Sequence, residues 1–306
     1  MDIPMADIKL FRISNSRVQE LQGKSATVEK SLQNQIEGHM DEFLGIRFLA
    51  SEYTTGRSHA GRIDTLGIDE NGSPVVVEYK RTLNENVITQ GLFYLDWLLD
   101  HKAEFILLVS KHLGQPAAAS IDWASPRLLC IAGDFTKYDE YAVQQINRNI
   151  ELIRYRRYEE DLLVLELVNA SRAEAAEPAP NSGRKSGIAK TPLEYLSQAP
   201  PRLRDLYDSL RSFLVALGDD VQVAPLACYI AFKRIRNFAC VEIHPQSQKL
   251  LVFVKVDPDS VEAVPGFLRD VRSIGHFGTG DLEITITSED QFERAKALIV
   301  KSYENS

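Results

Sequence analysis

The sequence predicts an α/β fold for residues 1–170, a mixed sheet flanked by helices, followed by a smaller α+β domain over 191–306. Three observations carry this. The first part reads in the order helix, three strands, helix, strand. Residues 171–190, SRAEAAEPAPNSGRKSGIAK, lose every large apolar residue except Ile188, as a flexible linker does. Beyond them apolar periodicity returns as a helix, several strands and a final helix. A length of 306 residues favours two domains and is ample to bury a core.

Residues 8–14, IKLFRIS, read as a short strand. Val28, Leu32, Ile36, Met40 and Phe43/Leu44 recur at helical spacing, predicting a helix over 26–44 that Gly45 stops. Ile46–Tyr53 is a strand leading into TTGRSHAG, and a hairpin follows over 61–81. Asn84 can cap a helix over about 85–101, with Val87, Ile88, Leu92, Leu95, Leu98 and Leu99 on its apolar face. Lys102–Gly114 reads as a further helix, although Phe105–Val109 alone would suit a strand. Leu128–Ala132 is a buried strand, Tyr141–Asn147 a short helix, and Ile150–Tyr158 and Leu162–Val168 are strands.

In the second part Pro201 opens a helix running to about Leu217. Val221–Val223, Ala227–Phe232, Phe238–His244, Leu250–Val256 and Leu282–Thr287 read as strands, and Phe267–Ser273 as a short helix. Ser288 is a good N-cap for a last helix over 289–303. Lys233, Arg234 and Arg236 form a local basic cluster beside Phe232 and Phe238. A solvated loop is the plain reading of it and a nucleic-acid contact the sharper one. Gly275–Gly280 is Gly-rich but lacks the spacing and lysine of a phosphate loop.

Composition is that of an ordinary globular protein, 44% hydrophobic and 25% charged. No apolar run is long enough to span a membrane. The N-terminus has no basic stretch followed by an apolar one, so the chain reads as cytoplasmic and without a signal peptide. Cys130, Cys228 and Cys240 are far apart and odd in number, which argues against a disulfide framework or a zinc site. A net charge of -8 disfavours nonspecific nucleic-acid binding, so any such contact must come from a local patch.

Chemistry concentrates in Gly61–Arg81, GRIDTLGIDENGSPVVVEYKR, two apolar strands joined by a tight turn. Strand side chains alternate, so Glu78 and Lys80 point one way and Tyr79 the other. Glu70-Asn71-Gly72 suits a three-residue loop with Gly72 left-handed. That loop pairs Asp69 with Ser73 and carries Asp64 opposite Glu78. Like charges facing across a ladder are destabilising, and a cation between them reverses the sign. A two-residue Asn71-Gly72 loop would instead slip the register by one and send Asp64 to the other face. Glu-x-Lys also reads as a plain solvated strand face. Against this, Val75-Val76-Val77 is apolar on both faces, and Asp64 sits between Ile63 and Leu66, as in a buried sheet.

Carboxylate oxygens suit Mg²⁺ or Mn²⁺, which keep several waters. Lys80 beside them would orient a water and offset phosphate charge. Gln90 and Tyr94, four apart, share a face of the next helix. Glu37 reads either as an exposed helix glutamate or as an outer member of the metal site. Arg154, Arg156 and Arg157, interleaved with Tyr155 and Tyr158, form the best substrate-contact patch, a solvated strand edge being the alternative. Arg57, His59 and Arg62 lie by sequence near the site entrance.

This set resembles the PD-(D/E)xK nuclease superfamily over about 26–134, extending towards 169. Its metal-binding Asp is matched by Asp64, its (D/E)xK by Glu78-Tyr79-Lys80, and the Gln-x-x-x-Tyr of its RecB-like branch by Gln90-Gly91-Leu92-Phe93-Tyr94. The phrase GRIDTLG…VVVEYKR looks especially like the catalytic domain of NucS-type endonucleases. Ile63 replaces the proline of the name, at a position that is not a ligand.

The resemblance implies a restriction-endonuclease-like mixed sheet and a metal-dependent DNA endonuclease of repair, recombination or defence. It implies Asp64 and Glu78 holding Mg²⁺ (or Mn²⁺), with the Tyr79 backbone carbonyl as a further ligand and Glu37 as a candidate from the preceding helix. Lys80 would position the nucleophilic water, Gln90 would orient the site or touch a phosphate, and Tyr94 would support the helix or the DNA backbone. The implied partner is single-stranded, branched or mismatched DNA, with no membrane and a homodimer left open. Residues 191–306 look like an uncharacterised domain found attached to such nucleases. The rival reading is an inactive nuclease-fold module that binds nucleic acid or a protein partner.

Overall fold

A computed structural model describes residues 8–24, 29–56, 61–80, 87–171, 173 and 190–306. The chain divides into two compact units. One comprises Met1–Met40, Phe48–Gly67 and Pro74–Glu174, the other Asp41–Arg47, Ile68–Ser73 and Ala175–Ser306.

The first unit opens on an antiparallel ribbon, β1 (Leu10–Ser14) and β2 (Arg17–Leu21), turned by Asn15 and Ser16 at positive φ. Along the chain there follow β3 (Gly23–Lys24), α1 (Glu29–Gly38), α2 (Met40–Leu44), which from Asp41 on belongs with the second unit, β4 (Ile46–Thr54), β5 (Arg62–Asp69) and β6 (Pro74–Lys80). Next are α3 (Val87–Asp100), α4 (Lys102–Leu113), α5 (Gln115–Ala119), β7 (Arg127–Ala132), α6 (Lys137–Gln144), β8 (Asn149–Tyr158) and β9 (Leu162–Ser171). Among the described residues seven strands form one sheet in the order β3-β8-β7-β6-β5-β4, with β9 also paired to β8. β6, β7 and β8 run parallel, and β9 and β3 are antiparallel to β8, so the sheet is mixed.

β6 and β7 are central and buried on both faces, which is why PVVVEYK and RLLCIA read as near-continuous apolar runs rather than alternations. α3 packs on β6 and β7. It can approach closely because Gly91 faces Leu128; a Cβ there would lie 2.4 Å from a Leu128 methyl. The β5–β6 loop has three residues, Glu70, Asn71 and Gly72. The Asp69 amide donates to the Ser73 carbonyl at 2.9 Å, and Gly72 has φ +81°. Asp69 Oδ1 accepts the Asn71 and Ser73 amides at 2.9 and 2.8 Å and closes the turn from inside. Gly72→Ala is expected to cost about 1–2 kcal/mol, because L residues clash in this conformation. Urea denaturation would read the loss, and an unchanged midpoint would contradict the turn.

Several boundaries moved. The helix expected over 26–44 is two, α1 and α2, parted at His39. The helix expected at Tyr141–Asn147 starts at Lys137. Its start is set by a capping box, in which Thr136 Oγ accepts the Asp139 amide and Asp139 accepts the Thr136 amide. Asn84 lies outside the described residues.

The second unit adds α7 (Pro192–Ser197), α8 (Pro201–Val215), β10 (Gln222–Pro225), β11 (Ile230–Lys233), β12 (Asn237–His244) and β13 (Lys249–Val254). β14 (Leu268–Asp270), β15 (Leu282–Ile286) and α9 (Glu289–Glu304) complete it. Its antiparallel sheet has the order β10-β11-β12-β13-β15-β14. One core joins Leu206, Leu210 and Leu214 of α8 and Phe292, Ala295 and Ile299 of α9 to Val241, Val252 and Ile284 of the sheet. Ser288 caps α9 by accepting the Gln291 amide.

The helix expected at 267–273 is instead the edge strand β14, paired Leu268↔Ile284. Its three residues take their hydrogen bonds from β15, a partner that local spacing cannot reveal. The basic cluster is internal to this unit: Lys233 is buried, Arg234 pairs with Asp220 at 2.7 Å and covers Tyr303, and Arg236 donates to the Asn305 carbonyl. Among the described residues no helix is long and apolar enough to cross a membrane.

Candidate active site

β5 and β6 bring Asp64 and Glu78 together. The Asp64 amide donates to Glu78 Oε1 at 3.2 Å, and the Tyr79 amide donates to Asp64 Oδ2 at 3.0 Å. Each carboxylate thus reaches across to the other strand, Glu78 to the Asp64 amide and Asp64 to the amide of Tyr79, the residue after Glu78. Glu78 is fully buried and Asp64 partly so. Burial pushes the Asp64 carboxyl above its ordinary value, opposed by the Tyr79 amide and then by the positive charge of Lys80. Lys80, two residues beyond Glu78 on the same strand face, is half-buried and lies beside Ala132 of β7.

α3 supplies the next contacts. Tyr94 is buried, and its hydroxyl accepts the Arg62 amide at 3.1 Å and the Gln90 amide group at 3.3 Å. Tyr94 therefore ties α3 to the start of β5. Asp64, Gln90, Tyr94 and Arg62 line one cleft of about 510 Å³ together with Glu52, Thr54 and Gly61.

Glu37 does not converge with the pair. Its Oε1 accepts Thr65 Oγ at 2.5 Å and Gln33 Nε2 at 2.9 Å. Thr65 follows Asp64 in the strand and so leaves the opposite face of the sheet. Gln33 also donates to the Asp64 carbonyl at 2.9 Å, so α1 grips the backbone of the site strand from behind. Among the described residues no three His, Cys, Asp or Glu side chains cluster as a metal cage. Two carboxylates still match Mg²⁺, which binds through one or two of them and retains waters.

The cations expected to meet substrate fare differently. Arg154 is 3% exposed and held by Glu166 at 3.0 Å and Asp134 at 3.0 Å, so its guanidinium is part of the interior and not of a docking surface. Arg156 and Arg157 are half-buried, and Arg157 donates to Gln35. Arg62 is exposed and pairs with Glu52 at 2.7 Å. Arg57 and His59 lie outside the described residues.

Sequence reasoning passed over Gln33 and Glu52. Gln33 is one helical turn before Glu37, which could have marked it. Nothing local distinguishes Glu52. It sits at positive φ, takes a hydrogen bond from Lys30 at 2.6 Å, and is held below the usual carboxylate range mainly by that bond.

Residues 193–306 match DUF5655, a domain of unknown function. Over 301 residues the chain is 27% identical to an uncharacterized protein of Haemophilus influenzae, covering 95% of this chain and 98% of that one. That relative therefore aligns with both parts of the chain. Among solved structures, a repair endonuclease from Pyrococcus abyssi aligns with 43% of this chain at 18% identity and a TM-score of 0.28. The alignment spans about half of that endonuclease, 48% of its chain, and a likeness of this strength says nothing of chemistry.

Proposed function

We propose that residues 1–170 form a metal-dependent nuclease that hydrolyses DNA phosphodiester bonds, as an endonuclease. The observation that carries this is the pair of cross-strand bonds in which Glu78 accepts the Asp64 amide and Asp64 accepts the amide of Tyr79, which neighbours Glu78. A partly buried carboxylate whose proton affinity is raised, set against a second carboxylate, is a donor pair that a divalent cation would relieve. Asp64, Glu78 and the Tyr79 carbonyl would hold Mg²⁺ or Mn²⁺. The bound ion would acidify a water and stabilise charge on the phosphate.

The chain's own residues do the positioning. Lys80 stands beside the carboxylates on the same strand face, where it would orient the attacking water and offset phosphate charge. Gln90, lining the cleft, would meet a phosphate oxygen. Tyr94, being buried, holds α3 against β5 rather than gripping the substrate. The choice of DNA rests on the resemblance of GRIDTLG…VVVEYKR and Gln90–Tyr94 to PD-(D/E)xK nucleases.

Purified protein incubated with single-stranded, branched and mismatched DNA should cleave only with Mg²⁺ or Mn²⁺. Lys80→Ala should slow cleavage by about 10²–10³-fold, the usual cost of losing one preorganised electrostatic group. Binding without cleavage, and no Mn²⁺-linked rise in melting temperature, would favour the inactive binding module instead.

A further inference from the structure

The tip of the β5–β6 hairpin, Ile68–Ser73, belongs to the second unit, while the strands that carry Asp64 and Glu78 belong to the first. Within the second unit that tip is held at several points. Glu70 pairs with Lys255 through one carboxylate oxygen and accepts the Asn237 amide at 2.8 Å on the other. Asn71 Oδ1 accepts Tyr229 Oη at 2.9 Å and Asn237 Nδ2 at 2.7 Å. The Glu70 amide donates to the Gly45 carbonyl at 3.1 Å. The holders are themselves fixed: Asn237 is 2% exposed and Tyr229 7%, and the Lys255 amide donates to Ser302 of α9 at 2.8 Å. A loop tip at the surface needs none of this to turn.

We infer that the C-terminal domain takes part in the reaction by fixing the catalytic hairpin: Lys255, Asn237 and Tyr229 are positioning residues that hold β5 and β6 in the register their loop sets. Asp64 and Glu78 lie five residues from Asp69 and Ser73, a span of about 17 Å along each strand. A one-residue slip between the strands would turn Asp64 to the wrong face, so whatever holds the loop also holds the carboxylate pair. DUF5655 then acts as a clamp on the hairpin. The effect on rate rests on the nuclease reading, whereas the mechanical coupling does not.

The test uses the full chain with Tyr229→Phe and Lys255→Met combined, which removes two ties and preserves shape, and with Lys255→Arg as the conservative control. Hydrogen exchange over 62–80 should quicken about tenfold in the double variant, with β12 and β13 amides unchanged, because local opening is read separately from global stability. Lys255→Arg should exchange as the wild type does. On DNA, kcat should fall about tenfold while KM stays within about twofold, and more Mn²⁺ should be needed for half-maximal rate. Unchanged exchange over 62–80, or equal loosening throughout β12 and β13, would overturn the coupling. A wild-type chain that cleaves nothing sinks the nuclease reading, and the exchange result still decides the clamp.

Discussion

Asp64→Asn is expected to move two measurements in opposite directions. Metal-dependent cleavage should fall by at least about 10³-fold, because several kcal/mol of charge stabilisation leave with the ligand and each 1.4 kcal/mol or so is a factor of ten. The metal-free variant should nevertheless melt at a higher temperature than the wild type at neutral pH. The sign follows from burial. Asp64 is held above its unfolded value, chiefly by desolvation. Its favourable contribution is present below the unfolded pKa and is lost as pH rises through the folded one. At neutral pH the ionised carboxylate therefore costs stability. The replacing amide keeps an oxygen for the Tyr79 N–H and removes the charge that burial disfavours.

Near pH 3, where free carboxylates are about neutral, the two proteins should melt together. Added Mn²⁺ should stabilise the wild type and leave the variant unmoved, reversing their order. Equal metal-free melting temperatures at neutral pH would remove the argument from burial, and undiminished cleavage would remove Asp64 from the site.

The hairpin was legible because its signals are local. Glu70-Asn71-Gly72 offers turn chemistry that permits few loops, and the chosen loop fixes which faces Asp64 and Glu78 occupy. Ser288 announced α9 in the same way, through a cap within three residues of its partner. What escaped depends on distant strands. β14 exists because β15 pairs with it. Glu37 is spent on Thr65 because α1 packs behind β5, and helix periodicity does not say which strand residue a polar side chain will meet. The role of Tyr94 divided similarly: its spacing from Gln90 placed both at the cleft, but only the fold directs its hydroxyl to the Arg62 amide.

Arg154 illustrates the same limit and carries the second large effect. Arginines interleaved with tyrosines suggested a nucleic-acid surface, but β9 returns antiparallel and sets Glu166 beside Arg154, while Asp134 follows β7. Arg154→Ala should destabilise the chain by about 2–4 kcal/mol. That lies below the 3–5 or so typical of breaking a fully buried pair, because Asp134 and Glu166 keep some access to water, being 30% and 23% exposed. The loss should be larger at pH 7 than at pH 5. Glu140 nearby is already raised, first by burial and with Asp134, Asp139 and Glu166 adding to it, and Arg154 is what opposes that rise. Without the guanidinium these carboxylates repel when ionised and relax when protonated. Arg154→Ala combined with Glu166→Gln should recover part of the loss, as coupled partners do. DNA affinity of the folded Arg154→Ala protein should equal that of the wild type, whereas a surface cation would show the reverse, normal urea stability with weaker, salt-sensitive binding. That reverse result would return Arg154 to the substrate surface and displace the internal network from this end of the sheet.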